Sequence, residues 1–265
     1  MAKVARLIDV TKCMACKGCQ VACKQWNQLP ATETEFTGSY ENPADLAPET
    51  WSRVKFNEHE DGDGVKWYFN FFSCMHCANP ACKDICPVDA IVKKENGAVR
   101  IDKEMCIACG ACRGACPFEI PRIDDAAYKC TFCTERLANN METACATACC
   151  TGAITVGDRD EKLEEAKARV EALQDRGFNN AQIYGEEELG GLNVIYVLAD
   201  SPELYGLPED PQVSFSAYLW KVAMGPVKTV AAIGLAAGAL SSWFTMRKTE
   251  VEKEKEAETE ELEVK

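Results

Sequence analysis

The sequence predicts an α+β fold built on metal-binding loops and closed by one C-terminal transmembrane helix. Three observations predict it. Cysteine stands at 17 of the 265 positions, and sixteen of these gather into four runs of four. Short β-branched and aromatic stretches alternate with the runs, as strands do when ligand loops interrupt them. Near the C-terminus a long stretch carries a single charge, which is the mark of a segment at home in lipid.

The chemistry is set by Cys106-Ile107-Ala108-Cys109-Gly110-Ala111-Cys112-Arg113-Gly114-Ala115-Cys116-Pro117. The spacing C-x2-C-x2-C-x3-C-P holds [4Fe–4S] clusters in bacterial ferredoxins, and its fourth Cys ligates the other cluster of a pair. Three closely spaced thiolates wrap one cube. The fourth lies a helical turn further on and points away. Gly110, Ala111, Gly114 and Ala115 let the backbone approach the metal. Such a run needs a partner, and three more are present: Cys13-x2-Cys16-x2-Cys19-x3-Cys23, Cys74-x2-Cys77-x4-Cys82-x3-Cys86-Pro87, and the looser Cys130-x2-Cys133-x11-Cys145-x3-Cys149.

Composition narrows the class. Hydrophobic residues make up 47% of the chain, ordinary for a folded protein. An odd number of Cys, mostly in C-x2-C steps, suits metal better than structural disulfides. The formal net charge is -13, and no basic block appears, so no nucleic-acid partner is expected. Met1 to Asp9 carries neither an apolar signal region nor a twin arginine, which points to the cytoplasm or to export as the passenger of another subunit.

In chain order, residues 3–10 read as a short strand through Val4, Leu7, Ile8 and Val10, leading into the first run. Residues 28–72 form an insertion in which Arg53–Asn57 and Val65–Phe72 pair around the turn Glu60–Gly64. After the second run, Glu95–Ile101 reads as a hairpin with Asn96-Gly97 at its turn. Thr151–Val156 after the fourth run echoes Val88–Val92 after the second, an internal repeat. Asp160–Arg176 is an amphipathic helix with Leu163, Ala166, Val170 and Leu173 on one face. Asp158 or Asp160 caps it and Gly177 ends it. Gly190–Leu198 is a buried strand, and Pro202–Pro211 an acidic linker. Val222–Met246 holds one charge, Lys228; the uninterrupted apolar part, Thr229–Met246, spans roughly 27 Å of helix against a hydrocarbon core of about 30 Å. Lys228 can snorkel, Trp220 and Trp243 sit near the ends as interface aromatics, and Gly234-x3-Gly238 gives a small-residue face for another helix. Arg247–Lys265 is a charged tail.

Simpler readings exist for each feature. Structural zinc needs four ligands closing one tetrahedron, which the repeated 2-2-3 spacing with Pro does not favour. The apolar stretch could be a buried helix of a soluble domain, although its place between linker and charged tail favours an anchor. His76 reads as a loop residue beside a cluster, His59 as a solvent-facing one, and Cys150 as a buried small apolar residue.

The four-run arrangement resembles the iron–sulfur subunit of the molybdopterin (dimethyl sulfoxide reductase-like) oxidoreductases. Cys16–Asn27, Cys74–Cys77, Cys116–Arg122, Tyr128–Cys133, Tyr196–Leu198, Pro202–Pro208 and the helix after Leu219-Trp220-Lys221 are similar to the beta subunit of membrane-bound respiratory formate dehydrogenase. A departure is Cys150, where that family usually has Pro. The resemblance implies two ferredoxin-like lobes, each with two [4Fe–4S] clusters: residues 1–29 with 125–160, and 73–124. It leaves 30–72 as an insertion, 161–215 as an extension and linker, 220–246 as the transmembrane anchor and 247–265 as the tail. It implies four clusters, held by Cys13, Cys16, Cys19 and Cys149; by Cys130, Cys133, Cys145 and Cys23; by Cys106, Cys109, Cys112 and Cys86; and by Cys74, Cys77, Cys82 and Cys116. It further implies a molybdenum or tungsten pterin catalytic alpha subunit oxidising formate, and electrons passing the first-, fourth-, third- and second-run clusters in turn. Beyond these lie a membrane cytochrome b gamma subunit and quinone. The resemblance also implies a cluster domain on the periplasmic side of the cytoplasmic membrane with its anchor in lipid, the cytoplasmic side being the alternative. No catalytic residue is expected in this chain, because no acid–base or nucleophile constellation appears. The same module could instead serve a polysulfide, thiosulfate or nitrate-type reductase.

Overall fold

The computed structural model describes residues 3–60, 62, 64–215, 217–220, 222 and 241–243. The chain divides into two compact units, Met1–Ala217 and Tyr218–Lys265. The span expected over 220–246 lies almost wholly outside the described residues, and the tail over 247–265 entirely so. Among the described residues no helix is long and apolar enough to cross a membrane.

In chain order the elements are strand β1 (Val4–Asp9), helix α1 (Gly18–Trp26), β2 (Ser52–Glu60), β3 (Val65–Ser73), α2 (Ala81–Asp84), β4 (Ile91–Lys93), β5 (Val99–Ile101) and α3 (Ala111–Gly114). They continue with β6 (Arg122–Ile123), β7 (Ala127–Tyr128), α4 (Thr134–Ala138), α5 (Ala144–Thr147), β8 (Ile154–Asp158), α6 (Arg159–Gln174), β9 (Gln182–Tyr184) and β10 (Val194–Leu198).

One mixed sheet, ordered β8-β1-β10-β9, frames the first unit. β1 runs parallel to β10, with Arg6 opposite Val194, and antiparallel to β8, with Arg6 opposite Val156. Successive side chains of a strand take opposite faces. Ala5 and Leu7, with Ile195 and Val197, therefore meet Leu163, Ala166 and Leu173 of α6 on one face. Ile8, Val194, Tyr196 and Leu198 join a larger core with Cys19, Cys74, Cys130 and Cys145 on the other. The sheet thus separates a plain helix layer from the cysteine-bearing layer.

Helix α6 follows the expected reading. Asp158 caps it by accepting from the Asp160 N–H at 2.9 Å, and Gly177, at φ +92°, closes its C-terminal turn. The hairpin β2–β3 is longer than expected, pairing from Ser52–Ser73 out to Glu60–Val65. The β4–β5 hairpin turns at Lys94–Gly97, where Gly97 has φ +90°, and a Cβ there would lie 2.4 Å from Asn193 Nδ2.

Two expectations need correction. The strand expected from Gly190 begins only at Val194, because Leu189 (φ 55°) and Gly191 (φ 105°) sit in left-handed or open conformations that end extended pairing. Pro202–Pro211 is no free linker. Its 3-10 turn, Pro202–Tyr205, packs on β2 and β3 with Pro202, Tyr205 and Leu207 buried. Lys55 Nζ donates to Gly206 O at 2.8 Å, and Tyr184 Oη to Pro208 O at 2.9 Å. Apolar burial and satisfied carbonyls outweigh the Pro and acid content.

Leu173 is fully buried between α6 and the sheet. Leu173→Ala is expected to cost about 3 kcal/mol, seen as a lower thermal midpoint of the intact protein. An unchanged midpoint would show that α6 does not brace the sheet.

Candidate metal centres

All four runs share one backbone device. Two residues after the first Cys stands a left-handed residue: Ala15 (φ 55°), His76 (48°), Ala108 (53°) and Phe132 (61°). Ala, His and Phe avoid this region at a cost on the order of 1 kcal/mol. Its recurrence at one place in four runs marks a demand of the loop itself. Such kinks turn successive N–H groups inward and make anion-binding nests of the kind found at Fe–S sites. The Phe132 N–H lies 3.4 Å from Cys130 Sγ, and the Ala15 N–H donates to Cys13. Sulfur also accepts from Ala127 N–H at Cys106 (3.3 Å) and from Ile154 N–H at Cys149 (3.4 Å).

The third Cys of each run rides on a short helix: Cys19 on α1, Cys82 on α2, Cys112 on α3 and Cys145 on α5. The fourth Cys follows one turn later. α1 packs on α5, and α2 on α3, so each fourth Cys is delivered to the partner run. Cys23 is pushed up to about 12 by burial and then by Cys130, Cys145 and Cys133. Cys112 is pushed up to about 11 by burial, then Cys106, Cys109 and Cys86. Burial, then Cys74, Cys116 and Cys82, raise Cys77 well above the usual thiol range. Burial also raises Cys13, against the Ala15 N–H, with Cys149 and Cys16 adding to the rise. Each fourth Cys thus has thiols of the partner run as neighbours: Cys23 has Cys130, Cys133 and Cys145, Cys86 has Cys112, Cys116 has Cys77, and Cys149 has Cys13.

A soft thiolate set of this kind suits iron–sulfur clusters. The fit is plainest where Cys86, Cys106, Cys109 and Cys112 line one cavity with Ile91, Ile101 and Ala127. Among the described residues no three Cys, His, Asp or Glu side chains close on the position of a single ion. A cubane makes no such demand, since each of its irons takes one thiolate.

The groups are ordered differently from the expectation. Cys19 has Cys145 as a neighbour, and Lys129 lies against Cys74, Cys82 and Cys130 together. Cys82 is also near Cys112. The order is first, fourth, second and third run, because β1 and the Lys129 segment bring the fourth run against the second. Cys16 and Cys109, at opposite ends of this order, are exposed, whereas the other fourteen Cys of the runs are buried or half-buried.

Two side chains, Cys150 and His59, depart from their expected settings. Cys150 is exposed, because the turn after α5 carries it outward; its Sγ lies 4.0 Å from both Cys16 Sγ and Met14 Sδ. His59 is half-buried, its Nε2 3.3 Å from Leu204 O. His76 is wholly buried. Its Nδ1 accepts from the Val99 N–H at 3.0 Å, and its Nε2 finds no partner among the described residues. Burial, then Lys129 and Arg6, hold its pKa well below the usual imidazole value.

Sequence reasoning passed over Arg6 and Lys129. Both are buried, and both lie in the cysteine-bearing layer. Arg6 donates to Ser73 Oγ (3.0 Å) and Cys130 Sγ (3.8 Å), with Phe132 and Phe71 against its guanidinium. Lys129 donates to Val99 O and Cys130 O. The available signal was strand alternation, which puts Arg6 on the face away from Ala5 and Leu7.

The His76 loop is stitched in place by Asn193, whose Nδ2 donates to His76 O (3.0 Å) and Gly97 O (2.9 Å). Asn193→Leu leaves two buried carbonyls unsatisfied, about 1–3 kcal/mol each. The expected result is a clear fall in thermal midpoint and faster iron loss; a variant as stable as the parent would contradict this role.

Comparison with known proteins gives a consistent picture. Two family matches, each described as a 4Fe-4S dicluster domain, cover residues 12–90 and 65–159. The chain is 44% identical over 244 residues (89% of this chain, 83% of the relative) to the nitrate-inducible formate dehydrogenase iron-sulfur subunit of Escherichia coli strain K12. It is 42% identical over 252 residues (92% and 81%) to the formate dehydrogenase iron-sulfur subunit of Haemophilus influenzae. It is 39% identical over 214 residues (76% and 95%) to formate dehydrogenase 2 subunit beta (cytochrome c-553) of Nitratidesulfovibrio vulgaris.

Proposed function

Because the chain belongs to the formate dehydrogenase iron–sulfur subunit family, we propose that it links a molybdenum or tungsten pterin alpha subunit, where formate is oxidised, to a membrane cytochrome b and quinone. Its part in such a complex is electron transfer through [4Fe–4S] clusters; oxidation of formate belongs to another subunit. When bound, the clusters supply reversible one-electron storage.

Four clusters are assigned to the four cysteine groups: Cys13, Cys16, Cys19 and Cys149; Cys130, Cys133, Cys145 and Cys23; Cys74, Cys77, Cys82 and Cys116; Cys106, Cys109, Cys112 and Cys86. The observation that carries this is the convergence of each fourth Cys on the partner run, as with Cys23 among Cys130, Cys145 and Cys133. The lobes are then 1–29 with 125–160, and 73–124. The residues of the chain contribute position and burial. Exposed Cys16 and Cys109 put the two ends of the series within reach of neighbouring subunits. Met14 and Val21 beside Cys16, and Met105 and Ile107 beside Cys109, are exposed apolar side chains, the composition of an interface core. The alpha subunit is assigned to the Cys16 end, and the membrane partner to the Cys109 end.

The apolar stretch from Thr229 to Met246 supports a single membrane anchor; the periplasmic placement of the clusters, with export alongside the alpha subunit, is taken from the family resemblance, because Lys221 and Lys228 before the stretch balance Arg247 and Lys248 after it. The stretch contains no His or Cys, so a haem held by two histidines takes both of them from a neighbouring chain.

The complex isolated anaerobically from membranes tests this reading. It is expected to hold about sixteen irons per copy of this chain, and formate is expected to reduce them, giving several low-temperature electron paramagnetic resonance (EPR) signals. Far fewer irons, zinc in their place, or signals indifferent to formate would contradict it.

A further inference from the structure

Arg6 and Lys129 are fully enclosed, yet among the described residues neither pairs with a carboxylate. A buried cation without an anion is strongly disfavoured, and burial of two in one place calls for negative charge nearby. Besides Ser73 Oγ, the Phe71 and Phe132 rings and two backbone carbonyls, the groups that face them are sulfurs. Arg6 reaches Cys130 Sγ at 3.8 Å. Lys129, 3.2 Å from Cys130 O, faces Cys74 and Cys82 on its other side. The rings of His76 and Phe132 pack beside the two cations, their centroids 4.6 Å apart, with the Arg6 guanidinium 5.0 Å from the Phe132 centroid. The remaining Arg6 atom, Nε, has no partner among the described residues, so hydrogen bonding within the chain does not account for the enclosed charge.

We propose that Arg6 and Lys129 are positioning residues that raise the reduction potentials of the two inner clusters, those of the Cys130 and Cys74 groups, where the lobes meet. The inference rests on the assignment of the four cysteine groups given above. One electron added to a four-thiolate cubane, with no bond made or broken and no proton moved, makes it more negative by one charge. A cation fixed beside it in a low-dielectric interior stabilises that added charge. Lys129 touches both groups and acts on both; Arg6 acts mainly on the Cys130 group. The clusters of the Cys16 and Cys109 groups, which these cations do not touch, escape the effect. The series then holds electrons more readily in its middle than it would with an apolar junction.

The test is an EPR-monitored redox titration of the anaerobically isolated complex carrying Lys129→Met or Arg6→Met. Lys129→Met is expected to lower the reduced-to-oxidised ratio of both inner clusters at least tenfold at fixed potential, about 59 mV for a one-electron couple. Arg6→Met is expected to do so chiefly at the Cys130 group. Lys129→Arg, which keeps the charge, is expected to restore the parent values, and the two outer clusters stay unmoved throughout. Inner potentials that do not move in iron-replete variants overturn the inference, as does a Lys129→Arg variant that behaves like Lys129→Met. Should the Met variants lose iron, parent complex labelled with 15N in the arginine guanidinium gives the reading. A 15N hyperfine coupling on an inner-cluster signal supports the contact, and its absence overturns it. A parent complex with fewer than four cubanes would instead overturn the ligand assignment beneath it.

Discussion

The structure depends on the reach of one side chain, the fourth cysteine of each run. It stands one helical turn past the third and finds its neighbours in another run. Cys23 lies among Cys130, Cys133 and Cys145, Cys149 beside Cys13, Cys86 beside Cys112, and Cys116 beside Cys77. A helix shifted by half a turn would aim that thiol at solvent or at the main core. The packing of α1 on α5 and of α2 on α3 follows from the same requirement. So do the left-handed residues at Ala15, His76, Ala108 and Phe132, which turn the loop of the first two sulfurs inward ahead of the helix that carries the third. Local strain on the order of 1 kcal/mol per residue is tolerated because packing and bound metal over-determine the loop.

The mixed sheet takes its strands from outside residues 73–124 and holds that segment by backbone hydrogen bonds, Val4 N–H to Asn96 O (3.0 Å) and Asn193 N–H to Met75 O (3.2 Å). β1 joins β8, which follows the fourth run, to β10, which follows α6. Its alternation sends Ala5 and Leu7 to the helix layer and leaves Arg6 and Ile8 for the cysteine layer. Asn193, just before β10, ties the His76 loop to the β4–β5 hairpin. The second run is thereby held against the fourth, which fixes the order of the cysteine groups. That order runs from exposed Cys16 through two enclosed groups to exposed Cys109, the arrangement a relay needs: shielded in the middle and open at both ends.

Much of this was legible in the sequence, for physical reasons that can be named. Ligand spacing is a local constraint, so C-x2-C-x2-C-x3-C written out in residues 13–23 and 106–116 declares both chemistry and partnership. Hairpins with Asn96-Gly97 or an acidic glycine turn, and a helix capped by Asp158, are local too. What escaped was tertiary. Which lobe edge meets which depends on β1, β10 and Asn193, distant in sequence, so the third and second groups were expected in the wrong order. Arg6 looked like one charge in a strand, yet its strand face decides that it is buried beside Cys130. Pro202–Pro211 has a linker's composition, but Tyr205 and Leu207 find an apolar seat on the β2–β3 hairpin. Cys150 has the composition of a core residue, but the turn after α5 carries it to the surface.

The central claim is that four iron cubes stand in one line, in the order of the Cys16, Cys130, Cys74 and Cys109 groups. Anomalous scattering at the iron edge, recorded from crystals of the anaerobic complex, addresses it most directly. The account predicts four compact iron peaks in this chain, each ringed by the four sulfurs of one group, with the Cys74 peak next to the Cys130 peak. Fewer peaks, single-ion peaks, or a Cys109-group peak standing between those two would contradict it.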